Sequence, residues 1–163
     1  MNAAYTFWKA AHILSAAVLF GTGLGIAFFC WFGYRAAMRR KSLAVLRAML
    51  YLTVIADYCF TAPAVVFQAA SGLMLMHLLG WSWVSAWSTA VFGVFVLVGL
   101  CWLPVVALQL RLLRAAQAAD SIETLPRAFR RWFGWWFALG VPAFGGVLYL
   151  FYLMVAKPLS VMG

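Results

Sequence analysis

Acidic side chains are almost missing from this chain: three Asp and Glu stand among 163 residues, and all charged residues together make up 9%. A soluble domain carries about 25% charged residues, so a water-soluble globule is excluded. With 67% hydrophobic residues and 18% aromatics the chain is not disordered either, since disorder goes with low hydrophobicity and high net charge. Cysteine is scarce and unpatterned. Cys30, Cys59 and Cys101 lie far apart inside apolar runs, which argues against a disulfide framework and a CxxC metal or redox site and leaves them as packing residues. No Ser–His–Asp set, paired carboxylate, HExxH or phosphate loop occurs, so hydrolase, zinc-protease and NTPase chemistry has no residues to work with. No basic n-region precedes the first apolar run, which is expected to be a retained first helix and not a signal peptide.

What is present is apolar length. Mean hydropathy is +1.00, and a spanning helix needs roughly 20 apolar residues. The chain offers four such runs, at about 7–34, 48–79, 86–110 and 132–156. The expected fold is all-α: one integral membrane four-helix bundle with the lipid bilayer as its surroundings. The net charge of +9 does not point to nucleic acid, because the cations interrupt apolar runs instead of lining a soluble face. Arg35, Arg39, Arg40, Lys41 and Arg47 fall between runs one and two, none falls between runs two and three, and Arg111, Arg114, Arg127, Arg130 and Arg131 fall between runs three and four. The positive-inside rule then places both basic loops in the cytoplasm of a bacterium. Both termini and the turn carrying Trp81, Trp83 and Trp87 face the periplasm, across the inner membrane.

Small residues at Ala17, Gly21 and Gly25, with Gly93, Gly99, Gly134 and Gly140, are expected to form the close helix contacts. Pro63, Pro104 and Pro142 each remove a backbone hydrogen bond near mid-run and predict kinks.

Two histidines and one intramembrane acid carry the chemistry. His12 follows Trp8 by four residues and His77 precedes Trp81 by four, on helices of opposite direction. Both imidazoles are therefore expected about 6 Å below the outer aromatic belt, at matching depth. Two nitrogens so placed suit the axial positions of a b-type haem; a different metal or a purely hydrogen-bonded role also fits. Met74 and Met76 beside His77 offer soft sulfur for copper, but Met76 points about 100° away from His77 on a helix. Asp57 is the acid inside a span, where a charge costs at least a few kcal/mol. Thr61, Ala64, Gln68 and Ser71 follow it on one helical face, which is expected to face the bundle. Such a stripe reads as a proton or quinone-headgroup path, with Asp57 and Gln68 as its working groups, or as an interhelical pair between Asp57 and an arginine such as Arg111. Arg47 is a candidate contact for an anionic substrate at the cytoplasmic face.

The succession WKAAHILSAAVLFGTGLGIAFF, ADYCFTAPAVVFQAASGLMLMHLLGW, LCWLPVVALQLRL, RRWFGWWFALGVPAF and LMVAKP resembles, over nearly the whole chain, a family of predicted bacterial integral membrane proteins of no established function. More distantly, WKAAH and TAPAVVFQAASGLML are similar to stretches of the HemJ-type protoporphyrinogen oxidases, four-helix membrane proteins that bind haem b through histidine. That resemblance implies that His12 is the haem ligand and that His77 is the other ligand or a substrate contact. The outline also resembles the copper-resistance D-type membrane domain. The expected function is a haem-b-binding redox protein acting on a porphyrinogen or a quinone. The alternative is a non-enzymatic module, alone, as a homo-oligomer or within a respiratory complex, that handles copper or assists assembly.

Overall fold

The computed structural model of the protein describes residues 3–157. Apolar stretches longer than the bilayer leave the backbone no partner but itself, and the chain answers with helices throughout. Helix α1 covers Ala3–Arg40, α2 Leu43–Ala56, α3 Ala62–Leu79, α4 Ala86–Ala118 and α5 Phe129–Val155. A π-helical turn, Asp57–Thr61, joins α2 to α3 within one continuous span. Among the described residues four helical segments are thus long and apolar enough to cross a membrane, as the four apolar runs require. Each extends past the apolar run at its basic end; α1, at 38 residues, is about 57 Å long against a hydrocarbon layer of about 30 Å.

The link between α1 and α2 is far tighter than the basic segment implies. Lys41 takes the left-handed conformation at φ 48°, Ser42 N–H donates to Ala37 O at 3.0 Å, and Lys41 N–H donates to Met38 O at 3.4 Å. This is a Schellman-type close with lysine where glycine is usual. Ser42 then caps α2, its hydroxyl accepting from Val45 N–H. The same motif ends α3, where Gly80 at φ 64° lets Trp81 N–H reach Met76 O at 3.1 Å.

Pro63 produces not a simple kink but the π turn that precedes it. Proline has no N–H for the carbonyl four residues back, and the wider turn lets Ala62 N–H bond Asp57 O instead. The hydrophobic core sits in the basic half of the bundle, where Cys30, Leu46, Leu50, Leu112 and Phe129 pack from all four spans. In the other half the chain divides into an α1–α3 pair and an α4–α5 pair, joined through Phe20 stacked on Phe144 at 5.3 Å; α3 and α4 scarcely touch.

The glycine seam differs from expectation. Gly21, Gly25, Gly93, Gly99, Gly134 and Gly140 approach no neighbouring helix among the described residues. The close approaches fall at Gly33 against Met49, Gly72 against His12 and Gly146 against Val98. Recurrence every four residues marks a face, not which face meets a neighbour.

The described chain ends and the tryptophan turn share one end of the bundle. Lys157 Nζ lies 4.4 Å from the Trp81 ring centroid and 5.4 Å from that of Trp87. Trp87 is the first-turn residue of α4, not part of a free loop, and its indole donates to Leu153 O at 2.8 Å. Burial, and then the nearby charge of Lys9, push the Lys157 ammonium below its ordinary value.

Candidate functional site

Two polar clusters lie on the inner face of the second span, as the spacing Asp57, Thr61, Ala64, Gln68, Ser71 implies. Asp57, Thr61, Ala64 and Ser71 are all buried and Gln68 is half-buried.

The first cluster is built around Asp57, 3% exposed at the start of the π turn. Trp102 Nε1 on α4 donates to its Oδ1 at 3.4 Å. With the Gln109 amide turned so that nitrogen meets carboxylate, Gln109 Nε2 donates to Asp57 Oδ2 at 2.8 Å and Gln109 Oε1 accepts from Trp136 Nε1 at 3.3 Å. These are neutral donors. Among the described residues no Lys or Arg comes within ion-pair distance of Asp57. Arg111, the expected partner, instead lies over the Trp132 ring at 4.9 Å, because two residues along α4 separate it from Gln109 and turn it toward another side. Thr61 is 5% exposed, and among the described residues its buried Oγ1 has no hydrogen-bond partner open to it other than the Asp57 carboxyl beside it. A cavity of about 130 Å³ opens beside the carboxyl between Tyr58, Ala62, Trp102 and Val106.

The second cluster joins α1 to α3. His12 Nδ1 meets Ser71 Oγ at 2.7 Å, and His12 Nε2 meets Gln68 Nε2 at 3.0 Å. Ser71 gives its own proton to Phe67 O at 2.7 Å, so it accepts from His12. The imidazole is therefore a neutral Nδ1–H tautomer whose Nε2 accepts from the Gln68 amide, and Gln68 Oε1 in turn accepts from Ser15. Trp8 stacks on Phe67 above the cluster.

The expected matching depth of the two histidines does not hold. Cys30 meets Thr53, Ser15 meets Gln68 and His12 meets Ser71, each pair placed symmetrically about the Lys41–Ser42 link. The tight turn sets this register, and it leaves His77 six residues beyond the level of His12, about 9 Å along the axis. His77 is also exposed, whereas its neighbour Met76 is buried and Met74 is exposed, so neither a two-histidine pair nor a Met–Met–His set is assembled. Among the described residues no three His, Cys, Asp or Glu side chains group as metal ligands.

Arg47 is engaged by the protein's own backbone. Its Nε donates to Ala116 O at 2.9 Å, and its Nη2 donates to Gln117 O at 3.1 Å and Ala119 O at 2.6 Å. It satisfies the last carbonyls of α4, which helix ends leave unpaired.

Trp102, Gln109, Trp136 and Ser15 complete the two clusters and were not singled out by sequence reasoning. The available signal was Gln109, an amide inside an apolar run, which in a bilayer needs an internal partner.

The chain matches, over residues 6–158, the family described as "Predicted integral membrane protein (DUF2269)", and it belongs to that family. No curated protein and no solved structure matches it.

Proposed function

For this member of a family of integral membrane proteins, we propose a proton-handling role centred on Asp57, in the inner membrane of a bacterium, with both termini in the periplasm. The orientation rests on the ten cations of the two basic loops, which favour the cytoplasmic side. The proton role rests on one observation: a carboxyl buried inside a span is held by neutral indole and amide donors, with no cation among the described residues to fix it as an anion.

An intramembrane ionisable group is costly and marks a proton or ion path by default. Here the arrangement accommodates either protonation state. Two N–H donors hold the ionised carboxylate, and the protonated acid can donate toward the cavity or the Thr61 hydroxyl. The cavity has room for a few waters at about 30 Å³ each and is too small for a porphyrin. Titration of tryptophan fluorescence tests this, because Trp102 and Trp136 report on the cluster. A pH-dependent change present in the wild type and absent in Asp57→Asn supports the role; an identical titration in both contradicts it.

A second reading is favoured by the His12 geometry. Imidazoles that ligate metals donate their other ring N–H to an acceptor that orients them, and Ser71 Oγ stands in that place. In this reading His12 Nε2 would hold a b-type haem in place of its bond to Gln68, and His77 would take no part. Such a group would supply one-electron chemistry toward a porphyrinogen or quinone. The fit is partial: the donor atom is oriented, but Gln68 stands against it and His77 lies about 9 Å further along the axis. A reduced-minus-oxidised visible spectrum decides it, with a b-type band lost in His12→Ala as the supporting result. Copper handling has no comparable support, since Met74 and His77 face outward while Met76 faces in.

A further inference from the structure

Arg111 and Arg114 stand three residues apart on α4 and so share a face. Both are exposed, and among the described residues neither pairs with a carboxylate. They border the basic end of a groove of about 700 Å³ between α4 and α5. On α4 its wall runs from Pro104 through Ala107 and Leu108 to the two arginines; on α5 Trp135 and Leu139 line the opposite side. Ala107 carries only a methyl group at the middle of the wall, which gives the groove its depth.

Length and charge together identify an occupant. From Pro104 to Arg114 is ten residues, about 15 Å of helix. That is half of a hydrocarbon layer about 30 Å thick, the depth of one leaflet. The groove is apolar along this length and doubly cationic at its end, and the only acids at this end of the bundle are Asp120 and Glu123, the latter already paired with Lys41 at 3.2 Å. We infer that the groove between α4 and α5 binds one acyl chain of an anionic phospholipid, whose phosphate is held by Arg111 and Arg114. Trp132 stacks against Arg111 and keeps that guanidinium at the headgroup level. Basic pockets between spanning helices recognise anionic headgroups in this way.

Native mass spectrometry of the detergent-purified protein, titrated with synthetic phosphatidylglycerol and separately with phosphatidylcholine, tests the inference. Retention of phosphatidylglycerol over phosphatidylcholine is expected. Arg114→Gln should weaken it about fivefold and the Arg111→Gln/Arg114→Gln pair about twenty-fivefold, the fold-changes of roughly 1 kcal/mol per cation. Arg39→Gln/Arg40→Gln makes the same charge change at the same end and should leave retention unaltered. Ala107→Phe should reduce it with both arginines in place. Equal retention of phosphatidylcholine, an equal loss in the Arg39/Arg40 variant, or full retention in Ala107→Phe would each overturn the assignment. Circular dichroism confirms that each variant is folded, and the single Arg114→Gln protein carries the test if the pair is not.

Discussion

His12 and Ser71 lie equally far from the Lys41–Ser42 link, and His12 Nδ1 donates to Ser71 Oγ at 2.7 Å. One bond thus records both the register of the first two spans and the tautomer of the imidazole. Interhelical hydrogen bonds in a membrane average about 0.6 kcal/mol and reach about 1.7. Ser71→Ala should therefore lower stability by roughly 1 kcal/mol, measured by thermal unfolding in detergent. An unchanged melting temperature would mean that the bond adds nothing to the α1–α3 contact.

The two left-handed closes make opposite predictions. A non-glycine residue in this conformation costs roughly 1–2 kcal/mol. Gly80→Ala should destabilise by about that amount, since φ is 64° there. Lys41→Gly should stabilise by up to about 1 kcal/mol, because it relieves φ 48° and gives up only the solvent-exposed pair with Glu123. Chemical unfolding of both variants side by side reads the contrast, and equal effects would contradict a strained backbone at Lys41.

Arg47 holds three carbonyls at the end of α4. Hydrogen bonds from a charged donor contribute about 1.5–3 kcal/mol, so Arg47→Ala should cost about 2 kcal/mol. Arg47→Lys should recover little, since a single ammonium cannot reproduce the planar fork. Full recovery by lysine would show that charge alone, not the fork, serves that helix end.

Lys157 gives the pH dependence a sign. Burial against Trp81 and Trp87, then the charge of Lys9, lower its folded value below the ordinary 10.5. Between the two values the unfolded chain binds more protons than the folded one, so this group's contribution to stability rises with pH there. The burial penalty on the charged form is felt below the folded value and is relieved as pH rises through it. Melting curves of the wild type and Lys157→Met should show this alkaline rise in the wild type alone; parallel profiles would assign it elsewhere.

The number of spans and the inward polar stripe were legible because both depend on composition and helical spacing within one segment. Asp57, Gln68 and Ser71 lie where the three-and-four spacing puts them. What was not legible depends on a turn without a signature. Lys41 and Ser42 contain neither the glycine nor the proline that marks a tight link, yet they close one in two residues. Taking Trp8 and Trp81 as markers of one aromatic belt sets His12 falsely level with His77, whereas the tight link brings Trp8 onto Phe67, well short of Trp81 on the second span. The partners of Asp57 were hidden for a different reason: Trp102, Gln109 and Trp136 come from α4 and α5, and no single-segment periodicity brings three helices to one carboxyl. Arg47 looked available because its acceptors are backbone carbonyls, which no side-chain pattern reveals.

The proton role of Asp57 is tested most directly by infrared difference spectroscopy of the protein in nanodiscs across a pH step. The account predicts a carboxyl C=O band that appears and disappears with pH in the wild type, shifts when Gln109→Leu removes one donor, and vanishes in Asp57→Asn. A titrating band that survives Asp57→Asn, or an Asp57 carboxylate that stays ionised throughout, would contradict it.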